Sequence, residues 1–317
     1  MRSIRKPALA AFAASIAVVS LAGCSAGGGD DSSAAEGEEF VLAVGTDPGA
    51  LDPQMSAGGT LFAMSRFAYD SLVSVDENGE IGSQLAKDWA IDGTTVTLTL
   101  NEGITCSDDS EFTAQTAADN ISWVGNPENK SPFLGAFLAP GITAEADGDT
   151  LTLTLAAPAP FVLQGLANLP MVCDAGLEDR TLLTAETLGT GPYVLDEAAP
   201  DDHYTYSVNE DYTWGPGGAT TDEEGLPATV TARVVTNETT AANLLLAGDV
   251  NAATINGPDR DRLAAAGLFE ERMPAVIGEQ WYNHAAGLPT SDPAVRVALT
   301  QALDLDELQK VLTSNQG

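Results

Sequence analysis

The chain has 317 residues, 44% of them apolar, and its 46 acidic side chains outnumber 13 basic ones to give a net charge of −33. A surface with that charge repels phosphate backbones, so the composition excludes nucleic acid as a main partner. Two histidines in the whole chain leave little material for histidine-based catalysis or a histidine-rich metal site. The length predicts about two domains with a packed core.

Residues 1–23 have the features of an export signal. Three basic residues precede the apolar stretch Ala8–Leu21, which is shorter than the ~20 residues that a membrane-spanning helix needs. The stretch runs into Leu21–Cys24, which resembles a bacterial lipobox and implies a lipid on Cys24. An ordinary signal peptide with a chance cysteine is the alternative. Residues 24–38, rich in glycine, serine and acidic side chains, predict a flexible acidic tether.

Export would place the two remaining cysteines, Cys106 and Cys173, in an oxidising compartment. An even pair there predicts a disulfide, which would contribute roughly 4 kcal/mol to stability because it closes a long loop. Two buried free thiols are the alternative. Neither cysteine has enough further ligands nearby for zinc, and we expect no metal and no other cofactor.

Apolar periodicity predicts a mixed α/β body without a regular strand–helix–strand rhythm. Alternating residues predict antiparallel strands at Thr95–Leu100 and Thr150–Leu155, and residues typical of strands occupy Glu39–Val44, Tyr204–Val208 and Thr229–Val235. Capping residues and periodicity predict helices at Ala114–Val124, Thr236–Ala247 and Pro293–Leu303.

A series of short motifs, in this order, resembles the extracellular solute-binding proteins of peptide/nickel-type ABC importers, family 5. The motifs extend over nearly all of the chain after the tether and are Leu51–Pro53, Tyr69–Val73, Leu85–Trp89, Asn101–Asp108, Phe112–Ala114, Gly189–Tyr193, Asn209–Trp214, Ala247–Val250, Tyr282–Asn283, Asp292–Leu299 and Ala302–Asp304. One departure is Asp109, which stands where the family usually has glycine in a tight turn. That turn must take another shape or hold an aspartate in the left-handed region.

The resemblance implies an α/β, two-lobed fold like that of type II periplasmic binding proteins, with an extra subdomain and with the second lobe largely missing. The implied division is a first-lobe core at 39–62 and 171–272, an inserted subdomain at 63–170, and the start of a second lobe at 273–317. Family members continue well beyond this point, so we expect a fragment or a broken gene. We also expect weak solute binding by the 317-residue chain, since half of the contacts would be lost.

The resemblance and the glycine pattern also indicate candidate solute-binding residues. Gly58 and Gly59 follow the first strand and would let backbone amides approach a ligand closely; a plain loop is the alternative. Asn256 matches a family position that often faces the cleft. Trp281, Tyr282 and Asn283 lie at the crossover into the second lobe, where aromatic planes and an amide could hold a solute. Packing of a core strand is the alternative for these residues.

The function that the resemblance implies is that of a lipoprotein outside the cytoplasm. It captures a solute, most commonly an oligopeptide, and delivers it to an ABC permease in the membrane that its lipid touches. The fold implies no enzyme and no catalytic residue. A secreted hydrolase is one alternative, because Asp202 precedes His203, although a solvated acidic loop explains that pair more simply. A surface lipoprotein without a transport role is the other.

Overall fold

The computed structural model describes residues 39–56, 58–271 and 280–312. All of these residues belong to one compact unit of the chain. The predicted signal peptide, Cys24 and the tether lie outside the described residues.

The secondary structure of the described residues alternates strands with helices. The strands and helices are, in chain order, β1 (Glu39–Val44), α1 (Gly59–Ala68), β2 (Val73–Val75), β3 (Ile81–Ser83), β4 (Ala86–Asp92), β5 (Thr95–Leu100), α2 (Ala114–Gly125), β6 (Thr143–Asp147), β7 (Thr150–Thr154), α3 (Val162–Leu166), α4 (Asp174–Glu178), β8 (Tyr193–Ala199), β9 (His203–Val208), β10 (Thr229–Val234), α5 (Glu238–Ala247), β11 (Ala252–Ala253), α6 (Asp259–Ala265), α7 (Pro293–Gln301) and α8 (Leu305–Leu312).

Five strands form a mixed sheet in the order β11-β1-β10-β9-β8. Strand β1 lies between β11 and β10 and pairs in parallel with both, so that Leu42 lies opposite both Ala232 and Ala252. The β10–β9 and β9–β8 pairs are antiparallel. Strands β1, β10 and β11 therefore end at the same edge of this sheet, and β8, which runs in the same direction, ends there too.

A second, four-stranded sheet is antiparallel throughout, in the order β4-β5-β7-β6. The predicted alternation is confirmed: Val96 pairs with Leu153 and Leu98 with Leu151, and all four side chains are buried. Threonines occupy the other face. Helix α2 packs against β6 and β7 of this sheet and buries Ile121. One apolar cluster extends from this sheet to the tyrosines of β8 and β9.

The predicted helices are confirmed with shifted ends. Thr113 caps α2 as expected, accepting a hydrogen bond from the backbone N–H of Thr116. Helix α5 ends at Gly248, which is left-handed, but it begins at Glu238 rather than Thr236 because Asn237 is the N-cap. Helix α1 continues through the boundary that the sequence placed between residues 62 and 63.

Residues 280–312 contain α7 and α8, neither of which has a buried residue. Asp292 caps α7 with Pro293 at the first helical position, as predicted, and the helix ends at Gln301. No helix in the described part of the chain is long and apolar enough to cross a membrane.

Cys106 and Cys173 are joined by a disulfide in the structure. Both regions are also hydrogen-bonded to a third segment: the N–H of Ser107 donates to the carbonyl oxygen of Gly189, and the N–H of Cys173 donates to that of Leu188. In the turn after Cys106, Asp109 has a φ of 64°. The aspartate thus takes the left-handed conformation, the second of the two outcomes that the sequence left open.

A fully buried carboxylate, that of Asp70, connects four segments near the end of α1: its own and those that carry Gln84, Thr190 and the pair Tyr212 and Trp214. Gln84 Nε2 and the Tyr212 hydroxyl donate to its Oδ1, and the Thr190 hydroxyl and Trp214 Nε1 donate to its Oδ2, at 2.7–3.0 Å. Burial raises the pKa of Asp70 to about 6, although these four hydrogen bonds oppose the shift.

Thr190 belongs to the motif Gly189–Tyr193, and both glycines of this motif are required by their surroundings. A Cβ atom on Gly189 would lie 2.2 Å from the carbonyl oxygen of Ala68, and one on Gly191 would lie 2.5 Å from the carbonyl carbon of the same residue. Only glycine permits this approach between the motif and the end of α1.

The raised pKa of Asp70 predicts a pH-dependent stability. Because the folded protein holds this proton up to about pH 6 and the unfolded chain releases it near its ordinary pKa of 3.8, the contribution of Asp70 to stability falls as pH rises between about 4 and 6. The shift corresponds to about 3 kcal/mol. We expect the difference in unfolding free energy between wild type and Asp70→Asn, measured in urea at pH 4–7, to change over this range. A difference in unfolding free energy that stays constant with pH would contradict the raised pKa of Asp70.

Candidate functional site

The parallel strands β1, β10 and β11 end at one edge of the five-stranded sheet. We call the loops that follow them, residues 45–60, 235–238 and 254–257, the carboxyl edge. A hydrogen bond of 2.8 Å from the N–H of Val235 to the carbonyl oxygen of Val44 continues the pairing into this edge. In open sheets with parallel strands, ligands bind in the crevice outside the carboxyl ends of the strands. This is therefore the candidate site.

The first of these loops contains Gly58 and Gly59, which the structure places at the start of α1. Gly58 is the N-cap with an ordinary φ of −64°, and both glycines are exposed. A Cβ on Gly59 would meet nothing within 4 Å, so the protein itself does not require glycine there. The hydroxyls of Thr46 and Thr60, 2.6 Å apart, join the end of β1 to this helix start.

Hydrogen bonds to Asp47 fix the same loop. The carboxylate of Asp47 accepts hydrogen bonds from the N–H of Gly49, the N–H of Asp201 and the hydroxyl of Tyr204. Partial burial works to raise the pKa of Asp47, but these hydrogen bonds outweigh it and lower the pKa below its ordinary value. The loop is thereby tied to the β8–β9 turn.

A second anchor of this loop is the ion pair between Asp52 and Arg180. Two guanidinium nitrogens donate to the two carboxylate oxygens, and a third donates to Gln54 Oε1 at 3.1 Å. The guanidinium also lies over the ring of Trp123 on α2, 3.7 Å from its centroid. Gln54 Nε2 in turn donates to Asn120 Oδ1 at 2.7 Å. The loop is thus held by α2 and by the segment after α4.

Asn256 belongs to the third loop of the carboxyl edge. Its side chain is exposed, and its backbone N–H and that of Gly257 donate to the carboxylate of Glu238 at the start of α5. The structure therefore brings Gly58, Gly59 and Asn256 to one edge, as members of neighbouring loops. In the part of the chain that the structure describes, no direct hydrogen bond joins the glycines to Asn256.

Trp281, Tyr282 and Asn283 are not in a strand, so the packed-strand alternative for them is wrong. Trp281 is 84% exposed, and the Tyr282 hydroxyl is 2.9 Å from that of Thr300 on α7. Asn283 Oδ1 accepts from the N–H of Ala285, which closes a local turn. His284, the next residue, is exposed coil. In the described residues these side chains make only local hydrogen bonds within 280–312.

His203 was the residue that suggested a secreted hydrolase. His203 is the first residue of β9, paired with Arg233, rather than part of a loop. Its Nδ1 lies 3.2 Å from Asp202 and its Nε2 lies 3.7 Å from Glu197, both mostly exposed. Each ring nitrogen thus has an acidic neighbour. Among the described residues, no serine or threonine hydroxyl is hydrogen-bonded to this histidine, as a catalytic triad would require. The same residues contain no cluster of three or more potential metal ligands.

A half-open cavity of about 640 Å³ lies beside α1 and α3, and none of its lining residues belongs to the carboxyl edge. Its lining includes Arg66, Asp76 and Gln164. The Arg66 guanidinium lies over the ring of Phe62, 5.2 Å from its centroid. This cavity has no parallel strand ends around it, and we keep it as the competing location for a ligand.

The anchors of the carboxyl edge were not found from the sequence. Asp52 and Arg180 are far apart along the chain, and neither lies in a motif that pairs them. Glu238 could have been noticed as an acidic residue in a first helical turn, but that signal predicts only a favourable interaction with the helix dipole.

Residues 80–317 match the family described as bacterial extracellular solute-binding proteins, family 5 Middle. This match covers more than half of the chain, and the chain belongs to this family. The glutathione-binding protein GsiB of Salmonella typhi is 26% identical over 86% of this chain and 54% of its own length. The chain therefore spans about half the length of the curated relatives that it matches.

Solved structures agree with the predicted α/β solute-binding fold. A substrate binding protein from Microbacterium hydrocarbonoxydans, complexed with 4-hydroxybenzoate hydrazide, is 28% identical with a TM-score of 0.72, over 88% of this chain and 59% of that one. The periplasmic murein tripeptide binding protein MppA, in an unliganded open form, is 25% identical with a TM-score of 0.58, over 68% and 45%.

The Asp52–Arg180 anchor makes a prediction for stability. Arg180→Gln would leave a nearly buried carboxylate without its cation, and we expect the free energy of unfolding to fall by about 3 kcal/mol. The matched control is Arg233→Gln on the exposed face of β10, for which we expect a change within about 0.5 kcal/mol. Urea denaturation measures both. Equal stabilities of the two variants would contradict the anchoring role.

Proposed function

We propose that this chain belongs to the solute-binding component of an ABC importer, which captures a solute outside the cytoplasm and delivers it to a membrane permease. The observation that carries the proposal is the carboxyl edge, where three parallel strands present loops that side-chain anchors hold in place. Family membership supports the same role. Because the chain spans about half the length of its curated relatives, their complete activity is a proposal here.

The solute class follows from the charges of the carboxyl edge. Its three loops contain no lysine or arginine, whereas they contain Asp47 and Glu238 besides Asp52, which is paired with Arg180. Backbone amides, threonine hydroxyls and the amide of Asn256 are the neutral groups available. Such an edge favours neutral or cationic solutes over multiply charged anions. Short peptides fit this chemistry, and the glutathione-binding and murein tripeptide-binding relatives make peptides the first class to test.

The proposal includes the predicted division of the chain. All strands of the five-stranded sheet fall within the first-lobe ranges 39–62 and 171–272, and all strands of the four-stranded sheet fall within the inserted range 63–170. Trp281, Tyr282 and Asn283 would then contribute to the cleft from the beginning of the second lobe, at 273–317.

A lipid on Cys24 would hold the protein at the outer face of the cell membrane. The lipobox-like sequence and the acidic tether after it support this part of the proposal. We expect Cys24→Ser to release the protein from the membrane fraction or to leave it unprocessed. Unchanged partitioning of that variant into detergent would contradict the anchor.

Solute binding can be tested by recording amide NMR spectra of the chain during titration with trialanine and with reduced glutathione. We expect saturable shifts in residues 45–60, 235–238 and 254–257, and recovery of each peptide intact. Sodium phosphate at the same ionic strength serves as the control, and no saturable shift is expected. Hydrolysed peptide would favour the secreted hydrolase, and spectra unchanged by either peptide would favour a surface lipoprotein without a transport role.

A further inference from the structure

Glu238 makes an unusual contact for a residue in the first turn of a helix. Its Oε1 accepts hydrogen bonds from two consecutive backbone N–H groups, those of Asn256 and Gly257, the second at 2.6 Å. A further contact between α5 and the same region joins the Thr239 hydroxyl to Asp259 Oδ2 at 2.7 Å. The side chain of Glu238 thus reaches from α5 to the loop that follows β11.

That loop has little other support from the sheet. Strand β11 has two residues, and its register with β1 ends at Ala253, three residues before Asn256. The bonds from Glu238 therefore fix the backbone where Asn256 projects its side chain at the carboxyl edge. Gly257 fits the arrangement, since a Cβ there would lie 3.3 Å from Glu238 Oε2, tighter than an ordinary contact.

The same contact also uses hydrogen-bond donors that a solute could have used. Two adjacent backbone N–H groups that converge on one point form a concave donor site that suits an anion. Here the anion is the protein's own carboxylate. As long as Glu238 stays in place, a carboxylate of a solute cannot bind these two groups.

We propose that Glu238 is a positioning and specificity residue of the solute-binding edge. It holds the 254–257 loop so that Asn256 faces the solute. It also occupies the backbone N–H groups of Asn256 and Gly257, so that a carboxylate of the solute cannot bind them. This inference rests on the proposed function, because it assigns the carboxyl edge to solute binding.

Amide hydrogen exchange and NMR shifts of Asn256 and Gly257 test the inference on the full chain without any solute. In Glu238→Ala we expect both amides to exchange about tenfold faster, the effect of losing one charge-assisted hydrogen bond each. Sodium acetate should then bind the vacated amides, shift their signals saturably and slow their exchange. Wild type should not respond to acetate, and sodium chloride at equal ionic strength should have no effect in either protein.

Two further variants separate positioning from helix stability. Asn237→Ala removes the cap of α5, whose Oδ1 accepts from the N–H of Thr240 at 2.9 Å, but keeps the Glu238 carboxylate. It should therefore speed exchange at 256 and 257 less than Glu238→Ala does. Glu238→Gln keeps an acceptor oxygen and should give intermediate exchange. If Glu238→Ala does not fold, the exchange rates of Glu238→Gln test the inference instead.

Unchanged exchange at both amides in Glu238→Ala and Glu238→Gln would overturn the inference, whatever solutes the chain binds. The same holds if acetate leaves the folded Glu238→Ala variant unaffected, since the amides would then not form a carboxylate site. If instead these amides behave as expected and neither trialanine nor glutathione binds, the failure belongs to the proposed solute class.

Discussion

The position of β1 between two parallel partners determines the rest of the described structure. Its pairing joins residues 39–44 to residues 229–234 and 252–253, so that nearly the whole described chain lies between strands that are neighbours in space. Such long-range contacts are costly in loop entropy and form only if the intervening chain packs well. In return, parallel pairing brings the ends of three strands, and thus three loops distant in sequence, to one edge.

The shortage of basic residues explains how those loops are held. With 46 acidic side chains and 13 basic ones, most carboxylates cannot pair with a cation. Asp47, Asp70 and Glu238 are instead bound by backbone N–H groups, hydroxyls, an amide and an indole, while Asp52 receives the buried arginine. Neutral donors can satisfy the hydrogen-bonding needs of a carboxylate without an opposite charge, but they must be placed accurately. Each of these carboxylates therefore fixes the position of the segments that supply its donors.

Local patterns predicted the strands and helices well, because alternation and caps act within a few residues. Thr95–Leu100 and the helix after Thr113 appear as expected. Apart from the Cys106–Cys173 disulfide, the sequence did not reveal which distant segments meet. The Asp52–Arg180 pair and the contact of Glu238 with the 254–257 loop depend on the tertiary fold. Packing in a core strand was one expectation for Trp281, but an aromatic residue in a short apolar run does not by itself specify a strand, and the structure leaves it exposed.

The central claim, that a solute meets this chain at the carboxyl edge, can be tested most directly by photo-crosslinking. A tripeptide that carries a photoreactive phenylalanine analogue would be irradiated with the chain, with and without excess trialanine, and the modified residues located by mass spectrometry. The account predicts that trialanine suppresses crosslinks to residues 45–60, 235–238 or 254–257. Suppressible crosslinks confined to the cavity beside Arg66 and Gln164 would contradict it.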